Sequence, residues 1–301
     1  MILKAQVPNG HHDRTLLTEG AVVSLLSLGF DEKDAGRADD MFVPEPSLVW
    51  RLYRRLVRTD VQLFALPDTL PNADILKLYG LSAPIPNGSN KCCPTIVVDL
   101  QQPADALWNG VEHKTRKVIR QAVREGITVV KDSSKQCWDG FRAAYEKLRG
   151  RKKNVAVLGV GLISDLAAKN HFMLTASRAP NGTILSWHGY ARCHDQVCLI
   201  NTVSAIDPMN DAHQNNLVGR AHRLHHWQDM LRFREEGIKF YDLGGVYHGT
   251  DDQEQANIAR FKRSFGGQAV DRFDAVLPLT EKGRFAMLFA RTASHELRAG
   301  I

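Results

Sequence analysis

The sequence has little that would tie it to a membrane, an export route or a disulfide scaffold. Its longest apolar run, VAVLGVGLI over 155–163, falls well short of the roughly 20 residues that cross a bilayer. The opening MILKAQVPNGHHDRT lacks the apolar stretch behind a basic head that marks a secretory signal. Cysteine is scarce and odd in number, five in all with Cys92 and Cys93 adjacent. That excludes an even disulfide framework and points to a reducing cytoplasm. No short-period repeat is present, no Ser-His-Asp order, and no helix-turn-helix, zinc or base-stacking pattern. The hydrophobic fraction of 44% and charged fraction of 24% are those of a globular chain, which excludes bulk disorder.

What is present is a basic α/β pattern. The 301 residues predict about two domains. A net charge of +6 favours anionic partners such as phosphates, nucleotides or RNA. LLTEGAVVSLLSLGF (16–30) and PSLVWRLYRRLVR (46–58) read as helices, and VQLFALP (61–67) as a strand. TIVVDL (95–100) is a buried strand, followed by one or two helices closed at Gly126 and by the strand ITVVKD (127–132). The polar stretch KDSSKQ (131–136) is read as the domain boundary, dividing the chain at 1–132 and 133–301. Beyond it come a helix, two hairpin-linked strands around Asn181-Gly182, and another strand. Then follow a long helix over 216–237, the strand IKFYDL, and a glycine-bearing loop before EQANIARFKRSFGG. The tail over 273–301 reads as a strand and a helix, expected to cross back onto the first domain.

Three segments in order carry a resemblance: HKTRKVIRQAVREGITV (113–129), LGGV after a strand (243–246) and FKRSFGG (261–267). Together they resemble the FemAB-like, peptidoglycan bridge-forming transferases, a branch of the GNAT acyltransferase superfamily. The match runs over most of 95–275 and is faint before residue 90. It implies two GNAT-like (acyl-CoA N-acyltransferase fold) halves with mixed central sheets, the first degenerate. It also implies transfer of an acyl or aminoacyl group from a carrier to an amine, forming an amide by direct attack. Phe261 and Lys262 match the pair that the family places in its reaction channel, with the lysine on carrier phosphate or the developing oxyanion.

Other candidates follow from position. Asp242 ends a strand, where it could orient the amine, act as base or bond the N–H groups of the next turn. Tyr247 and His248 follow that turn. Ser186, His188, Tyr190 and Arg192 share one face of a strand. In a GNAT-like fold that face would recognise the acceptor; otherwise it lies in water. Asn216, Gly219, Arg220 and Ala221 partly match the superfamily's pyrophosphate loop at a helix start, where free N–H groups would cradle phosphate. This tilts the donor toward acyl-CoA, with aminoacyl-tRNA the alternative. The basic helix with Arg116 could hold a nucleotide-linked acceptor or follow tRNA, or simply face solvent. His222 and His226 lie four apart but lack a Glu or Cys partner at metal spacing, so no metal is expected.

Overall fold

A computed structural model describes residues 70–151, 160–168, 170–193, 195–205, 211–246 and 252–288, with the backbone of 25–28 and 58–63. The described residues divide into two compact units. One comprises those within 94–155 and 166–270; the other comprises those within 1–93, 156–165 and 271–301.

The first of these units is built on a seven-stranded mixed sheet. Its strands are β5 (Thr95–Asp99), β6 (Thr128–Lys131), β7 (Phe172–Arg178), β8 (Ile184–Cys193), β9 (Gln196–Ser204), β10 (Phe240–Gly245) and β11 (Gln268–Val270). They lie in the order β11-β5-β10-β9-β8-β7-β6. Every pairing is antiparallel except β9 with β10. That parallel pairing is short: Phe240, Tyr241 and Asp242 register with Gln196, Val197 and Cys198. Beyond Cys198, β9 continues beside β8 to Ser204. β10 instead shifts register against β5, and the Val246 N–H reaches the Pro94 carbonyl at 2.8 Å. The β9–β10 ladder therefore ends at Asp242 and Cys198.

Strand alternation sorts the two faces of β8. Trp187 faces α3 (Lys135–Arg151), whose Gly140 leaves room for the indole; a Cβ there would lie 3.1 Å from it. Ser186, His188 and Tyr190 face the other way, toward α5 (Ala212–Glu235). Asp211 caps α5 by accepting the His213 N–H at 2.8 Å, and Gly237 at φ 77° ends it. Its Leu224, Met230 and Phe233 pack with Ile119 and Ala122 of α2 (His113–Arg124) and with Tyr241 of β10 in one core. Two shorter helices, α1 (Ala104–Gly110) and α6 (Gln253–Arg263), complete the elements that frame the site.

The other unit holds a five-stranded sheet, β1-β2-β3-β12-β4, with β1 Leu25–Leu28, β2 Arg58–Leu63, β3 Ile75–Leu81, β4 Ser89–Cys92 and β12 Phe273–Pro278. β12 lies antiparallel between β3 and β4, over Leu76, Leu78, Leu81 and Ile85. The short helix α4 (Val160–Ala168) contributes residues to both units.

Two expectations need correction. The segment read as a helix over 16–30 contains strand β1, and the rest of it lies outside the described residues, as does the helix read over 46–58 apart from Arg58 in β2. The boundary placed at 132 falls inside the seven-stranded unit. The polar KDSSKQ stretch is a strand-to-helix connection. The Ser134 hydroxyl accepts the Cys137 N–H at 3.2 Å, and Asp132 accepts the Ser134 N–H at 3.0 Å and binds Arg178 at 2.5 Å. Its polarity serves the start of α3, so it does not mark a linker.

Candidate functional site

The C-terminal end of β10 gathers the residues that the FKRSFGG and YDLGG segments singled out. Lys262, in the last turn of α6, donates its ammonium to the Gly245 carbonyl at 2.6 Å, which fixes the charge at the end of β10. Gly244, at φ 78°, lets the turn pass close to β9; a Cβ there would sit 2.8 Å from the Leu199 carbonyl and 3.5 Å from the Lys262 Nζ. Asp242 is buried and accepts from the Thr95 hydroxyl and, at 2.7 Å, from the Gly244 N–H. Of the three roles open to it, bonding the glycine turn is the one seen. Phe261 packs on Phe265 and His226, and the Arg223 guanidinium lies 5.1 Å over its ring.

Other predicted residues lie elsewhere. Asn216, Gly219, Arg220 and Ala221 are in the second and third turns of α5, not at its start. Their N–H groups are spent on the helix, so they offer no phosphate cradle. Arg220 is paired with Glu125 at 2.6 Å. Arg116 donates to the carbonyls of Trp108 and Asn109 at 3.1 and 2.9 Å, closing the end of α1. Tyr247 and His248 lie outside the described residues.

Ser186, His188 and Tyr190 are fully buried beneath α5, so this part of the polar face of β8 does not meet solvent, while Arg192 is partly exposed and donates to Glu236 at 2.8 Å. The three buried side chains belong to a network that sequence reasoning missed. Along α5, His222, His225, His226 and Asp229 recur at helical spacing and cover Thr175, Ser177, Ser186, His188, Tyr190 and Tyr241. That recurrence of polar residues on one buried helix face was the available signal.

The hydrogen-bond capacities fix the direction of each link. The Asp229 carboxylate accepts from the Arg232 guanidinium at 2.5 Å, from Tyr190 at 2.7 Å and from Thr175 at 2.9 Å. Thr175, having donated its hydrogen, accepts from His225 Nε2 at 2.8 Å; His225 Nδ1 then accepts from Ser186 at 2.9 Å, and Ser186 from Ser177 at 2.6 Å. Tyr190 likewise accepts from His188 Nδ1 at 3.0 Å; His188 Nε2 accepts from His222 Nδ1 at 3.2 Å, and His222 Nε2 from Ser204 at 3.0 Å. Two chains thus converge on one carboxylate, and Tyr241, 3.2 Å from the Tyr190 oxygen and 2.6 Å from His226 Nδ1, joins the Tyr190 chain from the side. His188 and His222 carry hydrogen on Nδ1, and His225 carries it on Nε2.

Burial sets the charge state. It pushes His188, His225 and His226 well below the ordinary histidine range, and mutual repulsion adds to this; the Lys262 ammonium contributes at His226. His222 is lowered to about 4, again by burial, with Arg223 adding. Burial raises Asp229 to about 6, against the opposing pull of Tyr190 and Arg232. At neutral pH the four rings are neutral and Asp229 carries the charge.

Among the described residues, His188, His225 and Asp229 bring three ligand atoms within 4.8 Å of one another. The two imidazoles are stacked, however, with centroids 3.7 Å apart and planes at 8°. In-plane lone pairs on parallel rings do not converge on one ion, and His225 Nε2 is engaged with Thr175, so the cluster does not fit a metal.

No family model matches the chain, and no curated protein matches it. Among solved structures the fold is like that of FemX, with a TM-score of 0.51 at 14% identity over 60% of this chain and 61% of FemX. This is the α/β fold with a mixed central sheet expected from the resemblance to FemAB-like transferases. Also similar are a domain assigned as the C-terminal part of an Agrobacterium fabrum lysylphosphatidylglycerol synthetase and L-PGS from Bacillus licheniformis. Their TM-scores are 0.48 and 0.47, at 13% and 11% identity, covering 78% and 77% of this chain and 82% of each of those chains.

Proposed function

We propose that the protein is an acyl- or aminoacyltransferase that forms an amide on an amine acceptor. The observation that carries this reading is the Lys262 ammonium held at the end of β10, where its ladder with β9 stops, in a chain whose fold is like that of FemX. Acyl transfer to an amine needs a stabilised oxyanion, a proton acceptor and aligned reactants. Lys262 supplies the positive charge for the carbonyl oxygen or for carrier phosphate, while Phe261 and Arg223 wall the same end. Asp242 positions the turn through Thr95 and Gly244.

The carrier reading changes with the structure. The acyl-CoA preference rested on a phosphate cradle at 216–221, and those residues are helix interior. Aminoacyl-tRNA, the carrier that the FemAB-like resemblance implies, becomes the first choice, with a small or nucleotide-linked amine as acceptor. The test offers charged tRNA and acetyl-CoA separately, each with glycinamide as acceptor amine. Charged tRNA is expected to raise the melting temperature and lose its aminoacyl group. Consumption of acetyl-CoA alone would restore the acyl-CoA reading, and consumption of neither would overturn the transferase reading.

A further inference from the structure

The chain of hydrogen bonds from Ser204 to Asp229 is longer and more ordered than a helix-to-sheet contact requires. Ser204 ends β9, five residues beyond Leu199, whose carbonyl borders the Gly244 turn, and is half-buried. Asp229 is fully buried. Between them His222, His188 and Tyr190 each accept one hydrogen and donate another, at spacings of 3.0, 3.2, 3.0 and 2.7 Å from Ser204 inward. A purely apolar interface would hold α5 to the sheet at least as well. A complete, one-directional polar chain ending on a carboxylate is instead what moves a proton without charging the groups between its ends.

We propose that Ser204, His222, His188 and Tyr190 form a proton relay that carries the proton of an attacking amine to the Asp229 carboxylate, a role that rests on the transferase reading above. As the amine nitrogen bonds to the carbonyl carbon, its N–H bond breaks and the proton passes to Ser204 Oγ. The Ser204 hydrogen moves to His222 Nε2, the His222 Nδ1 hydrogen to His188 Nε2, the His188 Nδ1 hydrogen to the Tyr190 oxygen, and the Tyr190 hydrogen to Asp229. One proton enters, Asp229 becomes neutral, and each ring exchanges one tautomer for the other. When the bond to the carrier breaks, the same steps in reverse return the proton to the leaving atom.

The groups facing Asp229 are Thr175 from β7, His188 and Tyr190 from β8, Tyr241 from β10, and His225 and Arg232 from α5. Among these, Thr175 belongs to the second chain, which ends inside the core at Ser177. Tyr241 adds a third branch, its oxygen 3.2 Å from Tyr190 and 2.6 Å from His226 Nδ1, and that branch ends at the His226 ring against Phe261 and Phe265. The Ser204 branch is the one that ends on a hydroxyl able to take a proton from outside the core, so proton uptake flips that branch and leaves His225 unchanged.

The test has two arms. In the first, histidine ¹⁵N-labelled protein is followed by NMR as pH is lowered within the range where it stays folded. His188 and His222 are expected to hold hydrogen on Nδ1 at pH 7.5 and to change together to Nε2, remaining neutral, while His225 stays on Nε2. The change should vanish in Asp229→Asn. Protonation of either ring to imidazolium instead, or tautomers that do not move together, overturns the relay. In the second arm, Ser204→Ala and Ser204→Thr are assayed for aminoacyl transfer from charged tRNA to glycinamide. Ala should lower kcat at least tenfold with KM unchanged and flatten the pH profile; Thr should restore both. Transfer by wild type with Ser204→Ala indistinguishable from it overturns the relay alone. Absence of transfer in wild type with every carrier overturns the transferase reading, and with it the catalytic role of the relay.

Discussion

Four neutral histidines behind one helix make acid the sharpest perturbation of this fold. In the unfolded chain each ring takes up a proton as pH falls through about 6.5. In the folded chain the rings resist, because burial has pulled all four down, His222 to about 4 and the others well below their ordinary value. The unfolded state therefore binds more protons below pH 6.5. The stability these rings contribute is present above that pH and is lost as pH falls toward their folded values. Asp229 acts in the opposite sense. Its folded value, raised to about 6, lies above the ordinary range, so the folded state takes up that proton first and acid relieves the buried charge. Each proton of difference changes stability by about 1.4 kcal/mol per pH unit. Between pH 6 and 5 the unfolded chain holds about three to four protons on these rings and the folded chain about half to one on Asp229, which leaves a net loss of about 3.5–4 kcal/mol per pH unit. A domain at the lower end of the usual stability range, about 5 kcal/mol, should then unfold at about pH 5. Urea titrations at half-unit pH steps measure the slope directly. His226→Phe, which removes one ring, should reduce it by about 1.4 kcal/mol per pH unit. Stability that stays level within about 1 kcal/mol from pH 6.5 to 5 would refute the reasoning, because the rings would then be titrating in the folded state.

Gly266→Ala should destabilise by more than about 2 kcal/mol, read as a fall in melting temperature. Gly266 has φ 84°, and its added Cβ would lie 2.5 Å from the Gly110 carbonyl oxygen. Arg116→Ala should cost about 1 kcal/mol through the lost closure of α1 and leave binding of charged tRNA unchanged in a filter assay, because that guanidinium is occupied by Trp108 and Asn109. Thr95→Val should loosen the turn that Asp242 holds, lowering kcat for aminoacyl transfer more than it lowers stability.

The strands and the long helix were legible because their signals are local. β-Branched residues mark 95–99, Asn181-Gly182 marks the β7–β8 turn with Gly182 at φ 82°, and Gly237 stops α5. The Lys262 position was legible through its neighbours in sequence, since α6 and the YDLGG turn are close along the chain. What was not legible depends on long-range pairing. Ser186, His188 and Tyr190 alternate as a half-wet strand would, and nothing within β8 says that a helix carrying His222, His225 and Asp229 will cover them. The polar faces of β8 and α5 are each unremarkable alone and become a network only when stacked. The same limit misplaced 216–221, whose glycine suggested a loop although Asp211 had already started the helix five residues earlier. It also misplaced the domain boundary, where polar residues served a helix cap.

The central claim is that the Lys262 ammonium at the end of β10 meets the carbonyl oxygen or phosphate of a carrier. Single-turnover transfer from charged tRNA, compared between wild type and Lys262→Ala at matched folded fraction, tests it most directly. Loss of one such donor is expected to slow the chemical step by about 10²–10³-fold, with the melting temperature little changed because the group is at the surface edge of α6. Transfer at the wild-type rate in a folded Lys262→Ala protein would contradict the account.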